Sequence, residues 1–332
     1  MLNKIRSNRM GYGIGRYLLS NPLVTGNRLY NSVYNRHIMK VIKELESKPP
    51  MVDIGTTNHC NANCIMCPHS QLKEFGTMEL EPYKKIIDDC IDFRVKEVTV
   101  TLSFFGEPFL DSTIIEKIKY AKKKNLKVYF YTNASLLNKK QATDILNVRL
   151  DSITISFDSN NKRTYEKIRR GLKFGVVKKN ILRLIKLRNE QHSKLKINIV
   201  VVELEENKDE IKDFYKKWEK KVDSVNIINM RNWADELKKK GTKESFHYRN
   251  EKRFPCALLW QKMVVDWNSD VVLCCDDYSH KVVLGNLKNQ TVKEIWEGDK
   301  LKKIRECHIK GEFHKIPLCK DCNKKTVWWL VK

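Results

Sequence analysis

The 332-residue chain lacks any apolar run near the roughly 18 consecutive residues that a membrane-crossing helix needs. It also lacks a secretion signal. The opening stretch MLNKIRSNRMGYGIGRYLLS is basic but has no apolar core followed by a cleavage site. There is no internal repeat and no low-complexity tract. Basic charge is plentiful, yet arginine is scarce: 16 arginines stand against 48 lysines in a net charge of +24. No arginine-rich block and no repeated interleaving of aromatic and basic residues accompanies that charge. It reads as lysine-coated helix faces such as EKIKYAKKKNLK and DFYKKWEKKVD, with an anionic partner or substrate as the second reading. Together these absences point to a cytoplasmic protein that can bury a large core, as one big domain or one plus a smaller one.

What the chain does have is ten cysteines. In a reducing compartment, clustered thiols read as metal ligands or catalytic groups, not as a disulfide framework. Three of them, Cys60, Cys64 and Cys67, lie within the stretch TNHCNANCIMCPHS. Strand-like runs rich in Val, Ile, Tyr and Phe fall at 51–57, 97–103, 127–133, 151–158, 196–204 and 222–230, and helical patterns lie between them. Six β-then-α units predict a parallel sheet with helices outside, an α/β partial (β/α)6 barrel of the TIM type whose chemistry sits at the C-terminal strand ends. The cysteine trio follows the first strand directly. Residues 1–50 read as a basic, partly helical lead-in, 51–230 as the barrel and 231–253 as a polar linker. Residues 254–332 hold six cysteines, a hairpin and one helix over TVKEIWEGDKLKKIREC. They read as a small domain whose core is thin without a metal.

Three thiols are one short of what a four-iron cluster takes, one per iron, so one iron would keep an open coordination position. On these residues alone, structural zinc with His59 or His69 as fourth ligand is the alternative. Cys90 lies in a helical pattern and reads as core.

The spacing C-x3-C-x2-C after a first barrel strand resembles the radical S-adenosylmethionine (SAM) superfamily. SFFGEP resembles that family's Gly-Gly-Glu-Pro motif, with Phe105 in place of the first glycine, so that Gly106, Glu107 and Pro108 carry over. YTNASLL resembles its Thr-Asn-Gly segment at Asn133, and ISFDSNNKRTYEKIRRG its fourth-strand segment at Ser156, Asp158 and Arg169. Met66 stands where the family often has an aromatic residue. The resemblance implies that Cys60, Cys64 and Cys67 hold a [4Fe-4S] cluster and that S-adenosylmethionine chelates its fourth iron. It further implies that the named barrel residues bind that cofactor, and that a 5′-deoxyadenosyl radical abstracts hydrogen from substrate. A flavodoxin- or ferredoxin-type electron donor is implied too.

The C-terminal segment resembles the SPASM/twitch extension of the same superfamily, which carries auxiliary iron–sulfur clusters. The implied ligands are Cys256, Cys274, Cys319 and Cys322. Cys274 is preferred to Cys275 although Ser269 replaces the glycine that usually lies five residues before the ligand. No cysteine follows Cys322, so one auxiliary [4Fe-4S] cluster is expected, with a four-cysteine zinc site as the alternative. Cys307 reads as a packed or surface thiol, not a ligand. Hydrogen abstraction beside an electron acceptor suits net oxidation of a sugar, cyclitol or other small polyol. Asp276 is then a candidate base. One alternative is a radical epimerase with Cys275 as hydrogen donor. Another is a peptide maturase, disfavoured because the residues before the first strand are too few for a peptide-recognition module. A non-catalytic, metal-stapled nucleic-acid-binding protein is the reading of another class; it leaves the Gly-Glu-Pro and Thr-Asn segments without a purpose.

Overall fold

The computed structural model describes residues 28–46, 49, 51–93, 99–101, 105–230, 233, 253, 255–320 and 322. Helix α1 (Arg28–Leu45) precedes six strands: β1 (Met51–Ile54), β2 (Thr99–Thr101), β3 (Lys127–Thr132), β4 (Ser152–Ser156), β5 (Lys196–Glu203) and β6 (Ser224–Asn229). Between them lie α2 (Leu80–Asp92), α3 (Ile114–Lys123), α4 (Lys139–Asn147), α5 (Lys162–Ile168), α6 (Phe174–Glu190) and α7 (Ile211–Trp218). The helices start where the sequence supplies caps. Asn138 accepts from the backbone N–H of Lys140 and Gln141 to begin α4, and Asn161 does the same from Arg163 and Thr164 to begin α5.

The six strands are parallel and lie in the order β6-β5-β4-β3-β2-β1, each beside its predecessor, as successive β-α-β crossovers build them. Period-two alternation separates two faces. Val128, Phe130, Ile153, Ile155, Ile197, Ile199 and Val201 face the helices and are fully buried. The opposite, inner face places Tyr131 beside Thr154, Thr154 beside Asn198, and Ser156 beside Val200. This inner face is polar along β3 and β4, mixed along β5 and β6 where Val200, Val202 and Ile228 share it, and reachable by solvent.

The C-terminal segment continues this sheet. Helix α8 (Leu258–Gln261) leads into β7 (Lys262–Val265), which pairs in parallel with β1, and β8 (Asp270–Val272) and β9 (Val283–Asn286) follow antiparallel. Leu259, Trp260, Val265 and Trp296 belong to one core cluster with the barrel residues, so the segment's core is the barrel's core extended. The single helix expected over 291–307 is two, α9 (Val292–Trp296) and α10 (Asp299–Ile309), and α11 (Pro317–Lys320) ends the described chain. Gly298 adopts an extended conformation (ψ 151°) and caps α10, after a Thr291–Glu294 capping box has started α9. The break turns Trp296 inward, where its Nε1 donates to the Glu46 carbonyl at 3.0 Å and the Arg305 guanidinium lies 4.3 Å above its ring.

Of the expected linker 231–253, only Trp233 and Arg253 are described; the rest, and residues 1–27 of the lead-in, lie outside the described residues. Among the described residues no helix is long and apolar enough to cross a membrane. A buried ion pair locks two of the loops at the barrel's C-terminal mouth. Lys117 on α3 holds Asp111 at 2.7 Å and also donates to the Met78 carbonyl, tying the segment after β2 to the one after β1.

Candidate active site

The cysteine loop leaves β1 at its C-terminal end and is stitched to three neighbouring loops. Asn63 N–H donates to the Arg170 carbonyl at 2.8 Å and Ile65 N–H to that of Ile168 at 3.0 Å, which joins the loop to the segment after β4. Glu107 N–H donates to the His59 carbonyl at 2.8 Å, joining it to the segment after β2. Asn133 Nδ2 donates to Asn61 Oδ1 at 2.9 Å, joining it to the segment after β3. Ser135 completes that last junction, donating to Asn133 Oδ1 and accepting from Asn61 Nδ2. Sequence reading missed Asn61, Ser135 and the interlock they make. A cap from the far side is Trp233, whose Nε1 donates to the Met66 carbonyl at 2.9 Å.

Gly106 is required by this stitching. A β-carbon there would sit 2.0 Å from the Thr57 carbonyl oxygen, inside any permissible contact. Phe105, standing where the motif has its first glycine, keeps a glycine-like positive φ of 31°. Ser269, in place of the glycine expected before Cys274, likewise has φ 72°. Both departures thus preserve the backbone conformation that glycine would adopt without strain. The Phe105 ring packs against Trp233 (5.1 Å) and Tyr278 (5.6 Å), and Tyr278 donates to Gln71 Oε1 at 2.6 Å. These contacts join the C-terminal segment to the cysteine loop.

Glu107 is buried beneath the loop and accepts from Thr132 Oγ1 and the Asn133 N–H, each at 2.7 Å. Burial pushes its carboxyl up to about 7, against those donors. Pro108, also buried, opens the short 3-10 turn that carries the chain away. Asp158 is buried with both carboxylate oxygens engaged: Oδ1 accepts from the Val202 N–H at 2.8 Å, and Oδ2 from Arg169 Nε. Arg169 in turn donates from Nη1 to the Cys64 sulfur at 3.6 Å. Asp158 therefore orients Arg169 toward the cysteine loop. Ser156 ends β4 on the inner face, partly exposed.

The donor chemistry of the trio fits an iron–sulfur group. Burial, helped by the charges of Glu107, Cys64 and Cys67, raises the Cys60 thiol to about 12, and burial, helped by Cys64, raises the Cys67 thiol to about 11. Three crowded soft donors of this kind become thiolates when a cationic group compensates their charge, and metal binding then releases their protons. The zinc alternative finds less support in the histidines. His69 Nε2 is engaged with the Asn58 carbonyl at 2.7 Å, and the exposed His59 ring stacks on Phe75 at 5.8 Å. Among the described residues, no three His, Cys, Asp or Glu side chains converge on a point that would hold a single ion.

In the C-terminal segment, burial raises the Cys319 thiol well above the usual range, with Cys256 and Cys322 adding to the rise. Cys256 and Cys322 thus both lie near enough for their charge to act on Cys319, although they stand at opposite ends of the segment. Cys274 accepts from the Asp276 N–H at 3.5 Å and packs against the main core, as Cys256 and Cys319 do. Cys275 packs instead with Phe105 against Val264 and Val272, on the other face of the hairpin. Asp276 is buried, with Oδ1 3.9 Å from the Cys275 sulfur. Cys307 is half-buried against the core, and Cys90 is fully buried in α2.

Comparison with known proteins agrees with this arrangement. Residues 54–217 match the radical SAM superfamily, and residues 256–323 match an iron–sulfur cluster-binding domain, SPASM. The S-adenosyl-L-methionine-dependent 2-deoxy-scyllo-inosamine dehydrogenase of Niallia circulans is 21% identical over 83% of this chain and 94% of its own. The solved structure of BtrN in complex with AdoMet and 2-DOIA superposes with a TM-score of 0.57 at 19% identity, covering 83% of this chain and 94% of that one. Streptococcus suis SuiB bound to its precursor peptide SuiA superposes at 0.63 and 18% identity, over 89% of this chain and 76% of that one. The two solved structures share the fold of this chain over most of its length. The chain is a radical SAM enzyme, a member of the radical SAM superfamily with a SPASM iron–sulfur domain.

Proposed function

We propose that this enzyme removes two electrons and two protons from a small polyhydroxylated molecule, a sugar or cyclitol, converting a carbinol to a ketone. The observation that carries this reading is the inner face of the sheet. Tyr129, Tyr131, Thr154, Ser156 and Asn226 present hydroxyl and amide groups there beside Val200 and Val202, and Tyr131 is 43% exposed. Neutral donors and acceptors of this kind suit a substrate covered in hydroxyls. A second support is the inosamine dehydrogenase, whose resemblance runs over nearly its whole length.

Cys60, Cys64 and Cys67 would hold the first cluster, and Cys256, Cys274, Cys319 and Cys322 a single auxiliary [4Fe-4S] cluster. When bound, the first cluster with S-adenosylmethionine supplies a hydrogen-abstracting carbon radical, and the auxiliary cluster an acceptor for the remaining electron. The chain's own residues do the rest. Gly106 to Pro108, Asn133 and Ser156 shape the cofactor's seat, and Arg169, oriented by Asp158, places a positive charge against Cys64. Asp276 takes the hydroxyl proton. The net charge of +24 favours a substrate or electron donor that is anionic.

The test is to incubate the reconstituted enzyme, under dithionite, with a panel of cyclitols and sugars beside a panel of peptides. Ketone and 5′-deoxyadenosine formed in equal amounts with a polyol would support the reading. 5′-Deoxyadenosine formed only with peptides would overturn it. Epimerisation is the second reading, favoured by the separation of Cys275 from Cys274. Solvent deuterium would then enter recovered substrate without ketone formation.

A further inference from the structure

His308 is a residue to which neither the motifs nor the proposed reaction assigns a part. It lies near the end of α10, is 1% exposed, and sits between two of the candidate auxiliary ligands. The Cys256 N–H donates to its Nδ1 at 3.2 Å, and its Nε2 lies 3.3 Å from the Cys319 sulfur. A ring nitrogen that accepts a hydrogen bond carries no proton, so the single proton of the neutral imidazole is on Nε2 and points at sulfur. The ring is held in that orientation. Phe313 meets it edge-on at 4.9 Å, and the Arg253 guanidinium stacks on the other ring at 4.2 Å while donating to the Cys319 carbonyl at 3.1 Å. One side chain thus reads the backbone of one candidate ligand and the sulfur of another, 63 residues apart in sequence.

We propose that His308 is a positioning residue of the auxiliary cluster, a neutral imidazole whose Nε2–H donates to the Cys319 thiolate and raises the cluster's reduction potential. The inference rests on the reading that Cys256, Cys274, Cys319 and Cys322 hold that cluster. The physical reason is electrostatic. A reduced cluster carries one more negative charge than the oxidised one, so a fixed donor to a ligating sulfur stabilises the reduced form more. Electron acceptance from a substrate radical would then be easier. The donor is also buried, where a hydrogen bond is worth more than it is in water.

The experiment is an EPR-monitored redox titration of the anaerobically reconstituted holoenzyme, with iron counted per chain, for wild type, His308→Gln and His308→Leu. The glutamine amide can still donate; leucine cannot. The expected result is about eight irons in all three, a lower auxiliary potential in His308→Leu, and a potential restored toward wild type in His308→Gln. Equal potentials in all three at full iron content would overturn the proposal. So would nitrogen hyperfine coupling to the auxiliary cluster in wild type together with iron loss in His308→Leu, because His308 would then be a ligand. Four irons in wild type would instead sink the auxiliary-cluster reading itself. If His308→Leu does not fold, His308→Ala serves as the non-donating variant: a lower auxiliary potential than wild type at full iron content upholds the donor role, and a wild-type potential overturns it.

Discussion

Arg169 bridges Asp158 and Cys64: its Nε donates to the buried Asp158 carboxylate while its Nη1 reaches the Cys64 sulfur at 3.6 Å. Burial works against the guanidinium charge, but Asp158 and Cys64 outweigh it and hold the pKa above the usual arginine range. The charge is therefore permanent at the edge of the cysteine loop. Asp158→Ala is expected to free Arg169 and to lower iron retention or 5′-deoxyadenosine formation by about 10- to 100-fold, the usual cost of removing such a supporting contact. Unchanged iron content and unchanged cofactor cleavage in both Asp158→Ala and Arg169→Met would show that the bridge has no part in the site.

Cys274 and Cys275 are adjacent, yet they pack on opposite faces of the hairpin. Cys274→Ala is expected to lose about four irons per chain on reconstitution, the complement of one cluster. Cys275→Ala is expected to keep the full complement. Iron and sulfide counting with the 400 nm absorbance checks both, and the reverse pattern would exchange their roles.

Gly106 cannot accept a side chain without moving the cysteine loop, since its β-carbon would lie 2.0 Å from the Thr57 carbonyl oxygen. Gly106→Ala is expected to cost about 1–3 kcal/mol, as other overpacked sites do, and to reduce loading of the first cluster more than that of the second. A thermal melt with iron counts per cluster, resolved by EPR, is the measurement. A wild-type melting temperature with normal loading would contradict the close approach.

His280 ties the loop that carries Cys274 and Cys275 back to the β7–β8 turn. Its Nε2 meets Asp266 Oδ2 at 2.8 Å and its Nδ1 meets Asp270 Oδ2 at 3.4 Å. The hydrogen bond to Asp266 raises its pKa above 6.5; burial opposes this, and the charges of Asp266, Asp270 and Asp277 add to it. Because the folded pKa lies above the unfolded one, the contribution is fully present below pH 6.5 and disappears as pH rises through the folded value. The melting temperature of wild type relative to His280→Gln is expected to fall across that window. A difference that grows with rising pH would refute the assignment.

Much of the fold was legible in sequence because it is carried by local patterns. The six barrel strands lie inside the runs of β-branched and aromatic residues, and β1, β3, β4, β5 and β6 end one to three residues inside them where the chain turns into loops. The helix expected over 291–307 was not legible as two. The polar and apolar residues continue at helical spacing through Gly298, and the break goes with the extended backbone of Gly298 and the contact of Trp296 with the Glu46 carbonyl just past α1. The Gly-Glu-Pro segment was legible because Gly106 has a steric duty that no other residue can meet. Asp158 reads in sequence as a cofactor contact, whereas the structure places it against Val202 and Arg169. Sequence carried no sign of Trp233 over the cysteine loop, since the Met66 carbonyl it meets lies 167 residues away.

The sequence by itself determined which donors exist and how tightly they are confined. Three cysteines within eight positions stay close together in any fold, and the strand-like run before them predicts that they sit at a sheet end. Only the tertiary structure decided which neighbour each donor meets. Cys274 and Cys275 lie in the bend and turn just after β8, so their separation depends on how that turn packs, with Cys274 against the main core and Cys275 against Val264 and Val272. The placement of His308 against Cys256 and Cys319 depends on α10 docking between segments 52 and 11 residues distant in the chain. No local pattern encodes such contacts, because they form only when burial of the shared core brings those segments together.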